Sequence, residues 1–249
     1  MLEQLGLLDD RASAWHSGDS GVVIRSSARA KRLTLKVLPP YQLELVVPRG
    51  TRAKVVAEFL TSNRDWIRRT TDELQARYPP ELRLLPTAVE LRAIDARWSV
   101  GIAVNESAQP RLQDHDGLLS LRIPTASGPE GFELLRQWLL GRGRKHLRPW
   151  LVAEAQRLGV VPKHIQIRTQ RTRWGSCSQR GSISLNAALL LLPASLVRYL
   201  LVHELCHLRH LNHSRRYWRL VAQHEPDYLE LDRRLAAAWT DIPVWALPR

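Results

Sequence analysis

"LVHELCHLRHLNHSRRYW", Leu201 to Trp218, sets four histidines and one glutamate among apolar residues, and its reading decides what the chain folds into. Residues four apart on an α-helix share a face about one turn apart, so His203 and His207 of the H-E-x-x-H pattern can reach one metal ion from the same side. Glu204, beside the first of them, is then placed to act as a general base on water. The flanks are apolar, which predicts a buried helix. A buried carboxylate is costly unless it has a partner or a task.

A catalytic zinc takes three protein ligands and keeps one position open. In a continuous helix His210 would lie roughly 10 Å along the axis from His203, at ~1.5 Å per residue, too far to share the ion. His213 is favoured over His224, Glu225 and Glu230. Asn212 tolerates the left-handed conformation that ends a helix and would turn the chain back toward the ion. Cys177 as a further ligand would close the position that water needs, so it is given a small packing role, and Cys206 is placed in the core.

Working outward, "LLLLPASLVRYLLVHELCHLRHL" reads as one helix with Ser195 as its N-cap. Upstream, "HIQIRTQRTRWGSCSQRGSISLN" (His164 to Asn186) reads as strand, irregular turn, strand, because Ile165/Ile167 and Ile183/Leu185 alternate around a Gly/Ser-rich centre. Downstream, "PDYLELDRRLAAAW" is an amphipathic helix. Pro129 opens a helical stretch to about Leu158, in which Gly141, Gly143 and Pro149 predict a kink or break. The basic cluster Arg142, Arg144, Lys145, His146 and Arg148 reads as a solvated helix face.

The N-terminal half is richer in strands. Residues 1–20 are polar and read as a flexible start. "GVVIRSSARAKRLTLKVLPPYQLELVVPRG" suggests two or three antiparallel strands, and Val55, Val56, Phe59, Leu60, Trp66, Ile67 and Leu74 recur at helical spacing until "YPPE". A second group, "AVELRAIDARWSVGIAV" and "GLLSLRIP", places turns at Asp95-Ala96 and at "QDHDG". No internal repeat is evident. The expected division is 1–20 flexible, 21–127 a β-rich region with one long helix, and 128–249 a second domain.

The chain has 249 residues, enough for a sizeable core, and is 44% hydrophobic with nine Trp, which excludes wholesale disorder. Its 37 Lys+Arg against 24 Asp+Glu give +13, a charge that draws phosphates, nucleic acid or other anionic partners without dictating fold. Two cysteines exclude a disulfide framework and suit a reducing compartment. No segment has the roughly 20 apolar residues of a membrane span, and the N-terminus lacks a signal-peptide pattern. A cytoplasmic protein with no membrane partner is expected.

Four ordered motifs, "RTRWGSCS" (Arg171 to Ser178), "GSISLN" (Gly181 to Asn186), "HELCHL" (His203 to Leu208) and "NHSRRYW" (Asn212 to Trp218), make the C-terminal part resemble the YgjP-like metal-dependent hydrolases, relatives of the SprT-like zinc metallopeptidases. The resemblance covers about Leu134 to Trp239. It implies an α+β molecule with an antiparallel β-rich N-terminal half and a zincin-like (minigluzincin-type) C-terminal half, an active-site helix beside a small sheet. Carried over by motif, His203, His207 and His213 hold one Zn²⁺ per chain and Glu204 is the catalytic base.

The leading expectation is thus a zinc metallopeptidase acting on a peptide or protein, with Arg173 and Tyr217 as candidate contacts to substrate or transition state and the strand Gly181–Asn186 as a candidate edge for an extended substrate. Two alternatives use the same residues. One is a nucleotide or phosphoanhydride hydrolase drawing on the basic surface, and the other a nucleic-acid-binding module in which zinc is structural.

Overall fold

The computed structural model describes residues 15–16, 22–38, 42–77, 84–107, 109–125 and 129–247, which carry six α-helices and three small sheets. The described residues fall into two compact units, 15–77 and 84–247.

The first unit runs β1 (Trp15–His16), β2 (Val22–Ser27), β3 (Thr34–Leu38), β4 (Gln42–Pro48), α1 (Ala53–Ser62) and α2 (Arg64–Arg77). Its sheet has the order β1-β2-β4-β3. Alternation in β4 turns Leu43, Leu45 and Val47 inward, where they pack with Val22 of β2 and with Val56, Ile67 and Leu74 of the helices. The flexible start expected over residues 1–20 lies outside the described residues except for Trp15–His16, which pair antiparallel with Ile24 and Val23. The one long helix expected after Thr51 is two. Asn63 ends α1, its side-chain Nδ2 donating to the Phe59 carbonyl at 2.8 Å, a bond that competes with the helix ladder.

The second unit opens with β5 (Ala88–Leu91), β6 (Ala96–Val104), β7 (Arg111–His115) and β8 (Leu118–Ile123), in the order β5-β6-β8-β7. Asp95 is left-handed (φ 48°), and Asp116-Gly117 both have positive φ (45° and 78°), the hairpin turn that "DG" favours. Next comes α3 (Pro129–Leu158), one continuous helix of 30 residues with Pro149 inside it, so the glycines and the proline do not break it. A Cβ at Gly143 would stand 2.9 Å from Ile167 Cγ2 and 3.1 Å from Ala187 Cβ, so that glycine serves close packing. Then come β9 (His164–Arg168), β10 (Gly175–Cys177), β11 (Ser182–Asn186), α4 (Ala194–Cys206), α5 (Arg215–His224) and α6 (Tyr228–Ala237), with the third sheet ordered β10-β11-β9.

The expected boundary at 127/128 falls inside this second unit. Leu119, Leu121 and Ile123 of β8 belong to the same apolar core as Leu135 and Leu139 of α3 and Leu200, Leu201 and Leu205 of α4, so the sheet β5–β8 cannot be assigned to a separate N-terminal half. The sheets are mixed, not purely antiparallel. β2 runs parallel to β4, β6 to β8 and β9 to β11, each first strand lying beside the second strand of the hairpin that follows it. The first two sheets therefore repeat one strand order, although no repeat shows at sequence level beyond Leu43-x-Leu45-x-Val47-Pro48 and Leu119-x-Leu121-x-Ile123-Pro124. Pairing across a hairpin leaves no periodic signature that separates a parallel from an antiparallel neighbour.

Candidate metal centre

Helix α4 starts after Pro193, whose extended backbone (φ −56°, ψ 144°) occupies the N-cap position, so Ser195 lies inside the helix rather than capping it. The helix carries His203 on a half-buried position and Glu204 in the core, 4% exposed. It ends at Cys206. His207 takes the C-cap place, and the N–H groups of Arg209 and His210 both return to the Cys206 carbonyl at 3.1 Å. This tight turn, and not a left-handed Asn212, reverses the chain: among the described residues positive φ outside glycine occurs only at Asp95 and Asp116. His213 then precedes Ser214, which caps α5 by accepting from the Tyr217 N–H at 3.4 Å.

The reversal brings the ring nitrogens of His203, His207 and His213 to within 4.8 Å of one another. The Nε2 atoms of His203 and His213 are 3.3 Å apart. His207 Nδ1 lies 3.0 Å from the His210 carbonyl, to which it can only donate, so its Nε2 lone pair is left for a metal. On the helix, His203 Nδ1 sits 3.5 Å from the Tyr199 hydroxyl, which itself donates to Asp232 Oδ1 at 2.7 Å. Asp232 on α6 thereby holds the Tyr199 hydroxyl, which lies against His203. Burial, then the neighbouring His207 and His213, push His203 down to about 3, and burial lowers His207 as well, so both rings are neutral at pH 7, the form that binds metal. Aromatic rings of α5 hold the cluster: Tyr217 stacks on His207 at 4.5 Å and Trp218 on His213 at 5.4 Å.

Glu204 is the least ordinary group. Burial pushes its carboxyl up to about 8 against the pull of the Arg173 guanidinium, and its Oε2 has no hydrogen-bond partner in the protein. Strand β10 closes over it. A Cβ at Gly175 would stand 2.6 Å from Glu204 Oε1 and 2.9 Å from its Cγ, so only glycine lets the strand approach this closely. Three converging imidazoles plus an orphaned buried carboxyl beside them fit a divalent cation.

The other candidates fall into place around this core. Tyr217 is fully buried, and its hydroxyl donates to the His203 carbonyl at 3.1 Å, so that donor is engaged by α4. Arg173 is exposed at the mouth. The Cys177 thiol is pushed up to about 11, first by burial and then by Glu204, which keeps it protonated and a poor ligand. Cys206 is buried. The His210 ring stands outside the cluster and contributes its carbonyl instead. Asn186 fixes the loop before β10: its Nδ2 donates to the carbonyls of Gln170 and Arg173, its Oδ1 accepts from Ala188 N, and its backbone N–H donates to Trp174. The strand Gly181–Asn186 is the central one of its sheet, so the expected substrate edge belongs to β10 instead.

Sequence reading missed Gly175, Tyr199 and Asp232. A lone glycine between Trp174 and Ser176 is a sign of close approach, and Tyr199 lies four residues before His203 on the same helical face. Nothing local marks Asp232.

Three histidines thus converge beside a buried glutamate in a cluster that could hold a metal ion. The model of the YgjP-like metallopeptidase domain matches residues 31–238, and the chain belongs to that family. Among solved structures, the metallopeptidase zymogen abylysin of Pyrococcus abyssi is similar, with 28% identity and a TM-score of 0.33 over 36% of this chain and 91% of that one. No curated protein matches the sequence. No helix among the described residues is long and apolar enough to cross a membrane.

Proposed function

We propose that the protein is a zinc-dependent peptidase with a zincin-like second unit, in which His203, His207 and His213 hold the ion and Glu204 is the base. The observation that carries this reading is the unpartnered Oε2 of Glu204 in the core beside three converging imidazoles. An edge of a tetrahedron with zinc-to-nitrogen arms of about 2.0–2.1 Å measures about 3.3 Å, the separation of the His203 and His213 Nε2 atoms. No fourth His, Cys or carboxylate joins the cluster among the described residues, which favours an open catalytic position over a closed structural site.

Zinc, when bound, supplies Lewis acidity that polarises a scissile carbonyl and acidifies water. Glu204 accepts the proton of the attacking water on its carboxylate and returns it to the departing amine nitrogen. Arg173 opposes the burial penalty on that carboxylate and keeps a fraction of it ionised near pH 7. Gly175 and the rest of β10 exclude solvent from one side of Glu204, while the outer edge of β10, which no strand pairs among the described residues, offers backbone groups to an extended chain. Two free cysteines support a reducing compartment as the working location.

Glu204→Gln is expected to abolish turnover of an unfolded protein substrate while the protein still retains one zinc, read by metal analysis beside a cleavage assay with and without chelator. Hydrolysis of nucleotides by the wild type in the absence of any peptide cleavage would overturn the peptidase reading.

A further inference from the structure

The solvent face of the third sheet holds chemistry that the metal site does not use. Register places Ser176, Ser184 and Gln166 side by side on one face, while Gly175, Leu185 and Ile167 line the other, toward Glu204 and the core. A cavity of about 620 Å³ opens on that outer face, lined by these polar side chains and by Arg168, Arg171 and Arg173. A second cavity of about 410 Å³ shares Gln166 and Arg168 and adds Arg144 and Arg148 of α3. Five arginines thus line the two cavities, which meet at Gln166 and Arg168 of the edge strand β9 and together form a basic trough. The chain has 24 Asp+Glu, yet none lines either cavity, and none forms a salt bridge with these five among the described residues.

Clustered guanidinium groups without counter-charge repel one another, and each presents a planar fork suited to a carboxylate. The trough also touches the catalytic machinery: Arg173 and Cys177 line it, Arg173 acts electrostatically on Glu204, and Glu204 in turn acts on Cys177. We propose that this trough is a substrate subsite that selects acidic polypeptide, binding a run of Asp or Glu side chains next to the bond to be cut. An extended peptide fits better than single-stranded nucleic acid, because no Trp, Tyr or Phe lines the trough to stack on a base. The proposal rests on the peptidase reading and supplies its substrate class.

Fluorescent peptides of one core sequence, flanked by Glu, Gln or Lys blocks, test it by anisotropy on full-length Glu204→Gln protein, which binds without cleaving. The Glu-flanked peptide is expected to bind about tenfold or more tighter than the Gln-flanked one, with the advantage fading at high salt. Arg168→Gln with Arg171→Gln should bring that ratio toward one, whereas the Lys replacements at both positions should keep most of it. Catalytically active protein should show the same order in kcat/KM. Equal binding of the Glu and Gln peptides, an advantage that survives the double Gln variant, or tighter binding of a single-stranded oligonucleotide of similar charge would each overturn the proposal. The two readings fail separately. Charge-selective binding with no peptide cleaved leaves the trough and removes the peptidase, while cleavage indifferent to flanking charge leaves the peptidase and removes the trough.

Discussion

At the residue scale, Gly175 and Glu204 form a single device. The glycine exists because the carboxyl needs a dry wall, and its cost is a position that tolerates no side chain. Gly175→Ala is expected to push the carboxylate off its place, lowering kcat/KM by roughly 10²-fold, the cost of misplacing a catalytic group by about 1 Å. Zinc affinity should change little, since the three atoms nearest the new methyl group all belong to Glu204; stopped-flow kinetics beside a metal competition titration would separate the two. Glu204 also makes stability depend on pH. Its folded pKa near 8 lies above the ordinary 4.5, so in metal-free protein its burial weighs against the fold increasingly as pH rises from about 4.5 to about 8. His203 acts in the opposite direction, with a folded pKa near 3 below the ordinary 6.5, so stability falls as pH drops through that window. Chelated Glu204→Gln should therefore gain on chelated wild type between pH 5 and 8, measured by denaturant midpoints; a constant difference across that range would show that the carboxyl is not held protonated by burial.

Elements decide how the histidines meet. The motif "HELCHL" made the convergence of two histidines legible, because helix periodicity is local and His203 and His207 need only one turn. His213 was legible only through its spacing, and the device that delivers it was misread: the chain turns directly after Cys206, and Ser214 restarts it as α5. Helix ends are the least legible part of any sequence, since Pro193 and Ser195, or Asn63 and its neighbours, are near-equal candidates until packing chooses between them. The Tyr199–Asp232 relay was illegible for a different reason, joining α4 to α6 across 33 positions with no local signal at Asp232. Tyr199→Phe keeps the buried ring and removes the hydroxyl. It and Asp232→Asn are each expected to weaken zinc binding by about 10–100-fold, the usual effect of losing an outer partner of a ligand. Equal affinity in a chelator competition would mean that His203 needs no such support.

At the scale of the whole molecule, each unit owns its apolar core. The buried residues around the metal centre run from Leu85 to Leu247, and those of the first unit from Val22 to Leu74, with no residue in both. A fragment beginning at residue 84 is expected to unfold cooperatively and to bind zinc as the full chain does, read by calorimetry with and without metal; a molten fragment would show that the first unit is needed for the second to fold. The basic character of the chain, legible from composition alone, acquires a location only in the structure, where Arg144 and Arg148, exposed on α3 as expected of a solvated face, also line a cavity.

The repeated strand order has a kinetic corollary. Parallel neighbours ordinarily demand long crossovers, but here Val22 faces Leu43, Ser99 faces Leu118 and His164 faces Ser182, separations of about twenty positions, over which loop closure is cheap. Each sheet can therefore assemble from contiguous chain, so the search for the native topology is divided into three short ones of low contact order.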